Sequence, residues 1–251
     1  MILRAACLLA ALWWSIPVSP AVAGPYYLLD LEGAEVAPSY LYEGTKRYRL
    51  RVQGGAATPA IRRDSQRGSN VLVLSTGPTP RGMKHDRSEV QLYGNVTYDK
   101  PWFVGLKMQI PQGTPAPRDW QVALQCHQNG TALSPPVSLD LEPDGTLSLV
   151  VRSDADRFEK LWSTRVTQGR WMQIELGLQM GRSGRVQLWL NGRKQLDIAR
   201  PLGWAAGDAA CALKTGIYRA ASPQPFMMLL DDVMLGDTRA DVILRSRITS
   251  P

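Results

Sequence analysis

Three short stretches carry acid–base and anion-binding side chains at the spacing of a β-strand: "KHDRSEVQLY" (84–93), "VALQCHQ" (122–128) and "CALKTGIYR" (211–219). Alternate residues of an extended chain share a face. His85, Arg87, Glu89 and Gln91 then lie together, against Ser88, Val90 and Leu92. Gln125 and His127 oppose Val122, Leu124 and Cys126, and Lys214, Gly216 and Tyr218 oppose Leu213 and Ile217. Each stretch has one side for a core and one side of functional groups. If the three are neighbours in one sheet, they form a single polar floor suited to moving protons beside an anion. A histidine, which ordinarily titrates near ~6.5, can accept a proton close to neutrality. A phenol such as Tyr218 can donate one. Arg87 can clamp a carboxylate through two parallel bonds, and the Gln125 amide can donate to the same group. Taken singly, each has a plainer role: Arg87–Glu89 as a surface ion pair of small worth, Lys214 as a solubilising charge, Tyr218 as a β-former, and either histidine as a hydrogen-bonded strand residue. Only their combination singles them out.

The elements that would position these residues show a period of two. "MQIELGLQM" (172–180) and "RVQLWL" (185–190) alternate apolar and polar residues around a "GRSG" turn, and Asn191-Gly192 then supplies the positive φ angles of a type I′ hairpin. "VSLDLEPDGTLSLVV" repeats the pattern about Asp144-Gly145, and "YRLRVQ", "SNVLVLST", "SEVQLYG", "WFVGLKMQI" and "PFMMLLDDVML" read as further strands. No long amphipathic helix interrupts them. Many short strands with Gly/Pro-rich turns predict an all-β fold, an antiparallel β-sandwich or jelly roll with one concave polar sheet. "TGPTPRGMKHD" and "PQGTPAPRDW" lead into two of the functional strands, where such loops form the walls of a cleft. Without repeats or linkers, residues 24–251 are expected to form one domain.

The first residues stand apart. "MILRAACLLAALWWSIPVSPAVAG" has Arg4, an apolar run broken by Pro17 and Pro20, and an Ala-Val-Ala ending. This is the pattern of a secretory signal cleaved after Ala23, predicting a periplasmic or secreted protein with no membrane association after cleavage. Removing Arg4 takes the formal charge from +7 to +6, a balance that suits an acidic partner. No basic amphipathic or aromatic-interleaved pattern points to nucleic acid. The mature chain retains Cys126 and Cys211, which could pair in an oxidising compartment; spacing leaves that open. Histidines and cysteines show no zinc spacing. Asp231 and Asp232 could hold a structural Ca²⁺, but a salt bridge or strand-end cap is the simpler expectation, so no cofactor or metal is expected.

"RSEV", "QCH" and "KTGIYR", in this order, resemble the three strand motifs of the jelly-roll polysaccharide lyases, R-[ST]-E-L, Q-x-H and Y-x-K-x-G-x-Y, found in alginate lyases and the heparin lyase I-like group. "GRWMQIELGLQMGRSGRVQLWLNGRKQLD" is similar to a hairpin of the heparin lyase I-like group, the closer match, and the resemblance runs from about Val71 to Asp237. Two positions depart from the pattern. Ala212 replaces the first aromatic of the last motif and offers no hydroxyl, and Cys126 stands between Gln125 and His127, facing the core.

The resemblance implies β-elimination on an anionic, uronic-acid-containing polysaccharide. A base removes the C5 proton beside the C6 carboxylate, and the bond from C4 to the bridging oxygen breaks. Donors aimed at the carboxylate stabilise the enolate-like intermediate. On this basis Gln125, His127, Tyr218 and Arg87 are the expected catalytic residues. His127 serves as base or carboxylate neutraliser, and Tyr218 as acid or combined base and acid. Lys214, Glu89, His85 and Arg219 are expected at the substrate, with Glu89 orienting Arg87. A monomer is expected. Two other functions fit the architecture: a non-catalytic carbohydrate-binding protein, and a glycoside hydrolase. A hydrolase needs paired carboxylates at the scissile bond, and no E-x-D-x-x-E pattern occurs. A lectin has no need of an aligned base and phenol.

Overall fold

The computed structural model describes residues 27–98, 100–152, 157–204 and 207–243. The expected signal segment, 1–23, lies outside them. The first strands are β1 (Tyr27–Leu29), β2 (Ala34–Ala37), β3 (Tyr40–Glu43), β4 (Lys46–Gln53), β5 (Ala60–Asp64) and β6 (Ser69–Thr76). There follow β7 (His85–Thr97), β8 (Pro101–Gln109), β9 (Gln121–Gln128), β10 (Val137–Leu141), β11 (Thr146–Arg152) and β12 (Phe158–Arg165). The last are β13 (Met172–Gln179), β14 (Arg185–Leu190), β15 (Arg193–Ala199), β16 (Ala210–Ala220) and β17 (Phe226–Gly236), before a short helix α1 (Arg239–Val242). Among the described residues no helix is long and apolar enough to cross a membrane.

Two antiparallel sheets form a sandwich, as the alternating pattern predicts. One runs β12-β11-β10-β9-β16-β7-β4-β3-β2, and the other β15-β14-β13-β8-β17-β6-β5 with β1 on β17. The three functional strands, β9, β16 and β7, are therefore consecutive at the centre of the first sheet. Their apolar sides, including Val90, Leu92, Leu124, Leu213 and Ile217, meet Leu72, Leu74, Leu106 and Met228 from the second sheet in the core. The β14–β15 connection is the expected tight hairpin: Leu190 pairs with Arg193, and Asn191 and Gly192 take φ of 49° and 76°. The sequence pattern did not reveal β1, β2, β3, β5 or β12, which are short or largely exposed strands with little apolar alternation.

Two links on the core side lock the register of the central strands. Cys126 of β9 and Cys211 of β16 form a disulfide with their Cα atoms 5.4 Å apart, resolving the pairing that spacing left open. The second link corrects an expectation. Arg219 does not reach the polar floor: it points to the opposite side of β16, is 4% exposed, and pairs with the buried Asp86 of β7 at 3.0 Å. It also donates to the carbonyls of Gly77 and Gln224. Asp86 accepts further bonds from the Gly55 amide and the Thr79 hydroxyl, tying the 77–84 loop to the strand. Alternation already assigns Arg219 to this side, since its neighbour Tyr218 faces the floor.

Replacing both Cys126 and Cys211 with alanine should lower unfolding free energy by about 2–4 kcal/mol, because the bond closes a long loop. Chemical denaturation with and without reductant measures this. Equal midpoints for the two chains under oxidising conditions would show that the link contributes nothing.

Candidate active site

The floor is built in cross-strand rows. Across β7 and β16, Arg87 faces Tyr218, Glu89 faces Gly216, and Gln91 faces Lys214. On the β9 side Lys214 faces Gln125 and Ala212 faces His127. Strand β4 extends the floor, with Arg49 opposite Gln91 and Arg51 opposite Glu89.

Glu89 is at the centre, 1% exposed. One carboxylate oxygen accepts a 2.6 Å bond from the Gln125 amide, and the other lies 3.3 Å from Arg87 Nε. Glu89 and Gln125 come from the strands on either side of β16 and meet across it, in the row where Glu89 faces Gly216. That glycine has φ of 137°, and a Cβ there would run into the Ser88 carbonyl and the Glu89 Cα. Burial pushes the Glu89 carboxyl above its ordinary range; Arg87, the Gln125 bond, Lys214 and Arg51 pull it back. Burial likewise lowers the Lys214 ammonium, with Arg87 and Arg51 adding repulsion and Glu89 opposing. Three cations thus act on one carboxylate, leaving an excess of positive charge at the floor.

Tyr218 is enclosed by three side chains. The Arg87 guanidinium carbon lies 4.2 Å from its ring centroid, and the His85 and Trp120 rings lie edge-on at 5.5 and 5.0 Å. Trp120 is 44% exposed at the end of the Pro-rich loop. His127 stands on the same floor across β16: it faces Ala212, while Tyr218 faces Val122, five residues back along β9. Its Nδ1 lies 3.0 Å from the Gln128 carbonyl, which can only accept, so Nδ1 carries the proton and Nε2 keeps its lone pair. Burial holds the imidazole below its ordinary range, reinforced by Lys214 and Arg87 and opposed by the Gln128 bond.

The structure thus brings Arg87, His85 and Tyr218 together, and places Glu89, Gln125 and Lys214 beneath and beside them. His127 is near enough to Arg87 and Lys214 for both charges to act on it. Gln125 has no exposed surface, so its visible role is to hold Glu89 rather than to present an amide to a ligand. Arg51, whose guanidinium donates to Gln91, and Trp120 were missed from sequence. The signal for Arg51 was present: Arg47, Arg49 and Arg51 alternate in "KRYRLRVQ" with Tyr48 and Leu50 facing the core. Among the described residues no group of three or more His, Cys, Asp or Glu could hold a metal ion. Asp231 and Asp232 instead take Arg67 and Lys107 as counter-ions at 2.6–2.9 Å.

A sequence profile for polysaccharide lyase matches residues 38–239, spanning both sheets and every residue of this floor. The chain belongs to the polysaccharide lyase family. Among curated proteins no sequence matches. Solved structures share the fold. An endo-β-1,4-glucuronan lyase from the fungus Trichoderma reesei aligns with TM-score 0.67 and 14% identity, covering 87% of this chain and 98% of that one. The alginate lyase AlyC3 aligns with TM-score 0.52 and 12% identity over 70% of this chain and 77% of that one. The family 7 alginate lyase A1-II′ aligns with TM-score 0.53 and 16% identity over 71% and 83%.

The depressed His127 makes the lyase's stability depend on pH. Below about pH 6.5 the unfolded imidazole takes a proton that the folded one refuses, so stability falls as pH drops through that window. His127→Gln should flatten this segment of the stability–pH curve measured by urea denaturation. An unchanged slope would contradict the burial argument.

Proposed function

We propose that this lyase cleaves a uronic acid polymer, of the kind represented by glucuronan and alginate, by β-elimination on the concave sheet. The observation that carries the proposal is the cluster of Arg87, His85 and Tyr218 above the buried Glu89. Arg87 faces the groove and takes the C6 carboxylate, with Arg51 and Lys214 adding positive charge as the enolate-like intermediate forms. His85 and Tyr218 supply the proton transfers. One removes the C5 proton, the electron pair forms the C4–C5 double bond, the C4–O bond breaks, and the leaving oxygen takes a proton from the phenol. Trp120 offers an exposed indole against a sugar ring beside Tyr218. His127, on the same floor with its Nε2 lone pair kept, binds the neighbouring sugar unit. Glu89 and Gln125 position Arg87 from below. The likeness of segment 169–197 to the heparin lyase I-like group supports a place near that group. The leader at 1–23 supports export to the periplasm or medium, with the enzyme acting there as a monomer on an acidic polysaccharide and using no cofactor.

Incubating the protein with glucuronan, alginate, heparin, hyaluronan and pectate, and following ultraviolet absorbance of the unsaturated product, tests the proposal. Tyr218→Phe and His85→Ala should each lower kcat by about 10²-fold or more, whereas His127→Ala should chiefly raise KM. Binding without any absorbance gain would make the protein a lectin, and new reducing ends without unsaturation would make it a hydrolase. Full turnover in both the Tyr218 and His85 variants would overturn the assignment of the pair.

A further inference from the structure

The outer face of the second sheet carries a cavity of about 670 Å³ on the side of the sandwich away from the polar floor. Its base is the paired residues Lys107 of β8 and Gln173 of β13, with Glu175 beside them. One wall is α1, which packs directly on β8: a Cβ on Gly105 would strike the Val242 carbonyl. The helix is fixed by the Asp241 carboxylate, which accepts from the Thr238 amide and hydroxyl, and presents Arg239 to the cavity. The opposite wall is Trp171 with Arg67, and the Asn191-Gly192 hairpin forms part of the rim.

Side chains on the outer face of a sheet are ordinarily solvated, yet here Lys107 and Glu175 are 4% and 1% exposed. Each is held by an opposite charge: Lys107 by Asp232 at 2.6 Å, and Glu175 by Arg239 at 2.7 Å. Arg67 is fixed by Asp231 and Asp232, both at 2.9 Å. Buried ion pairs of this kind add little net stability, because desolvation offsets their attraction. They do hold side chains in set positions, which is what a binding site requires. Two groups are not consumed by this network. The Trp171 indole N–H is enclosed with no hydrogen-bond partner among the described residues. Arg170 stands exposed at the mouth without a carboxylate partner among those residues. The volume is within the range of ligand pockets.

We propose that this cavity is a second saccharide site, distinct from the polar floor, that binds an anionic sugar unit. Trp171, with Arg67 over its ring, supplies an indole N–H, Asn191 supplies an amide at the rim, and Arg170 supplies the positive charge for a carboxylate. Because its ligand is taken to be the same polymer, the proposal rests on the uronate activity proposed above. A polymer held on both faces gains effective concentration at the floor without any new contact there.

The test uses the full chain carrying Tyr218→Phe, titrated calorimetrically with glucuronate and alginate hexasaccharides. Two sites per chain are expected, falling to one on adding Trp171→Ala or the exposed-surface change Arg170→Glu. In the otherwise native enzyme, Arg170→Glu should leave turnover of hexasaccharide unchanged and raise KM for polymer several-fold. A single site in the Tyr218→Phe chain that is unaffected by either change would overturn the proposal, as would equal binding of an uncharged cello-hexasaccharide at the second site. Failure of the uronate activity is read separately, as absence of unsaturated product from the native enzyme.

Discussion

The arrangement of the groove depends on a carboxylate that never reaches solvent. Glu89 touches Gln125 on one side and Arg87 on the other, with Lys214 and Arg51 close enough to act on its charge. A buried carboxylate is tolerated only when cations and donors satisfy it. Here they do so from four consecutive strands, β9, β16, β7 and β4, so one group ties together side chains from all of them. The cations outnumber it, and the surplus belongs at the surface where Arg87 meets the groove. Gly216 is required at the Glu89 row of β16 for its backbone, because at φ of 137° a Cβ would strike the Ser88 carbonyl, the Glu89 Cα and Leu74.

The opposite side of the same strands keeps the rows aligned. A one-residue slip of β16 would send Tyr218 into the core. The Cys126–Cys211 bond and the Asp86–Arg219 pair prevent it at either end of the strand. Asp86 lies between His85 and Arg87, and Arg219 follows Tyr218, so the pair fastens the backbone beneath the three side chains proposed for the chemistry. Packing and electrostatics therefore act on the same few residues from two faces.

Much of this was legible in the sequence, and the reason is the period of two. Alternation alone assigned His85, Arg87, Glu89, Gln125, Lys214 and Tyr218 to one face, and the Asn-Gly turn and the long strands followed from local residue preferences. What alternation cannot supply is the register between strands. That is why the edge-on contact of His85 with the Tyr218 phenol was not foreseen: it follows from the pairing of β7 with β16. Arg219 was misplaced for a different reason: its charge suggested the groove, though its parity already pointed to the core. Burial was also invisible, so Gln125 read as a donor to substrate when the structure shows it holding Glu89.

The most direct test of the central claim is a crystal structure of the Tyr218→Phe chain with a uronate oligosaccharide. A carboxylate in bidentate contact with Arg87 is expected, with the C5 carbon of that sugar within about 3–3.5 Å of His85 or of the position the Tyr218 hydroxyl would occupy. A sugar centred on His127, with its carboxylate on Gln125 and Arg87 left empty, would contradict it.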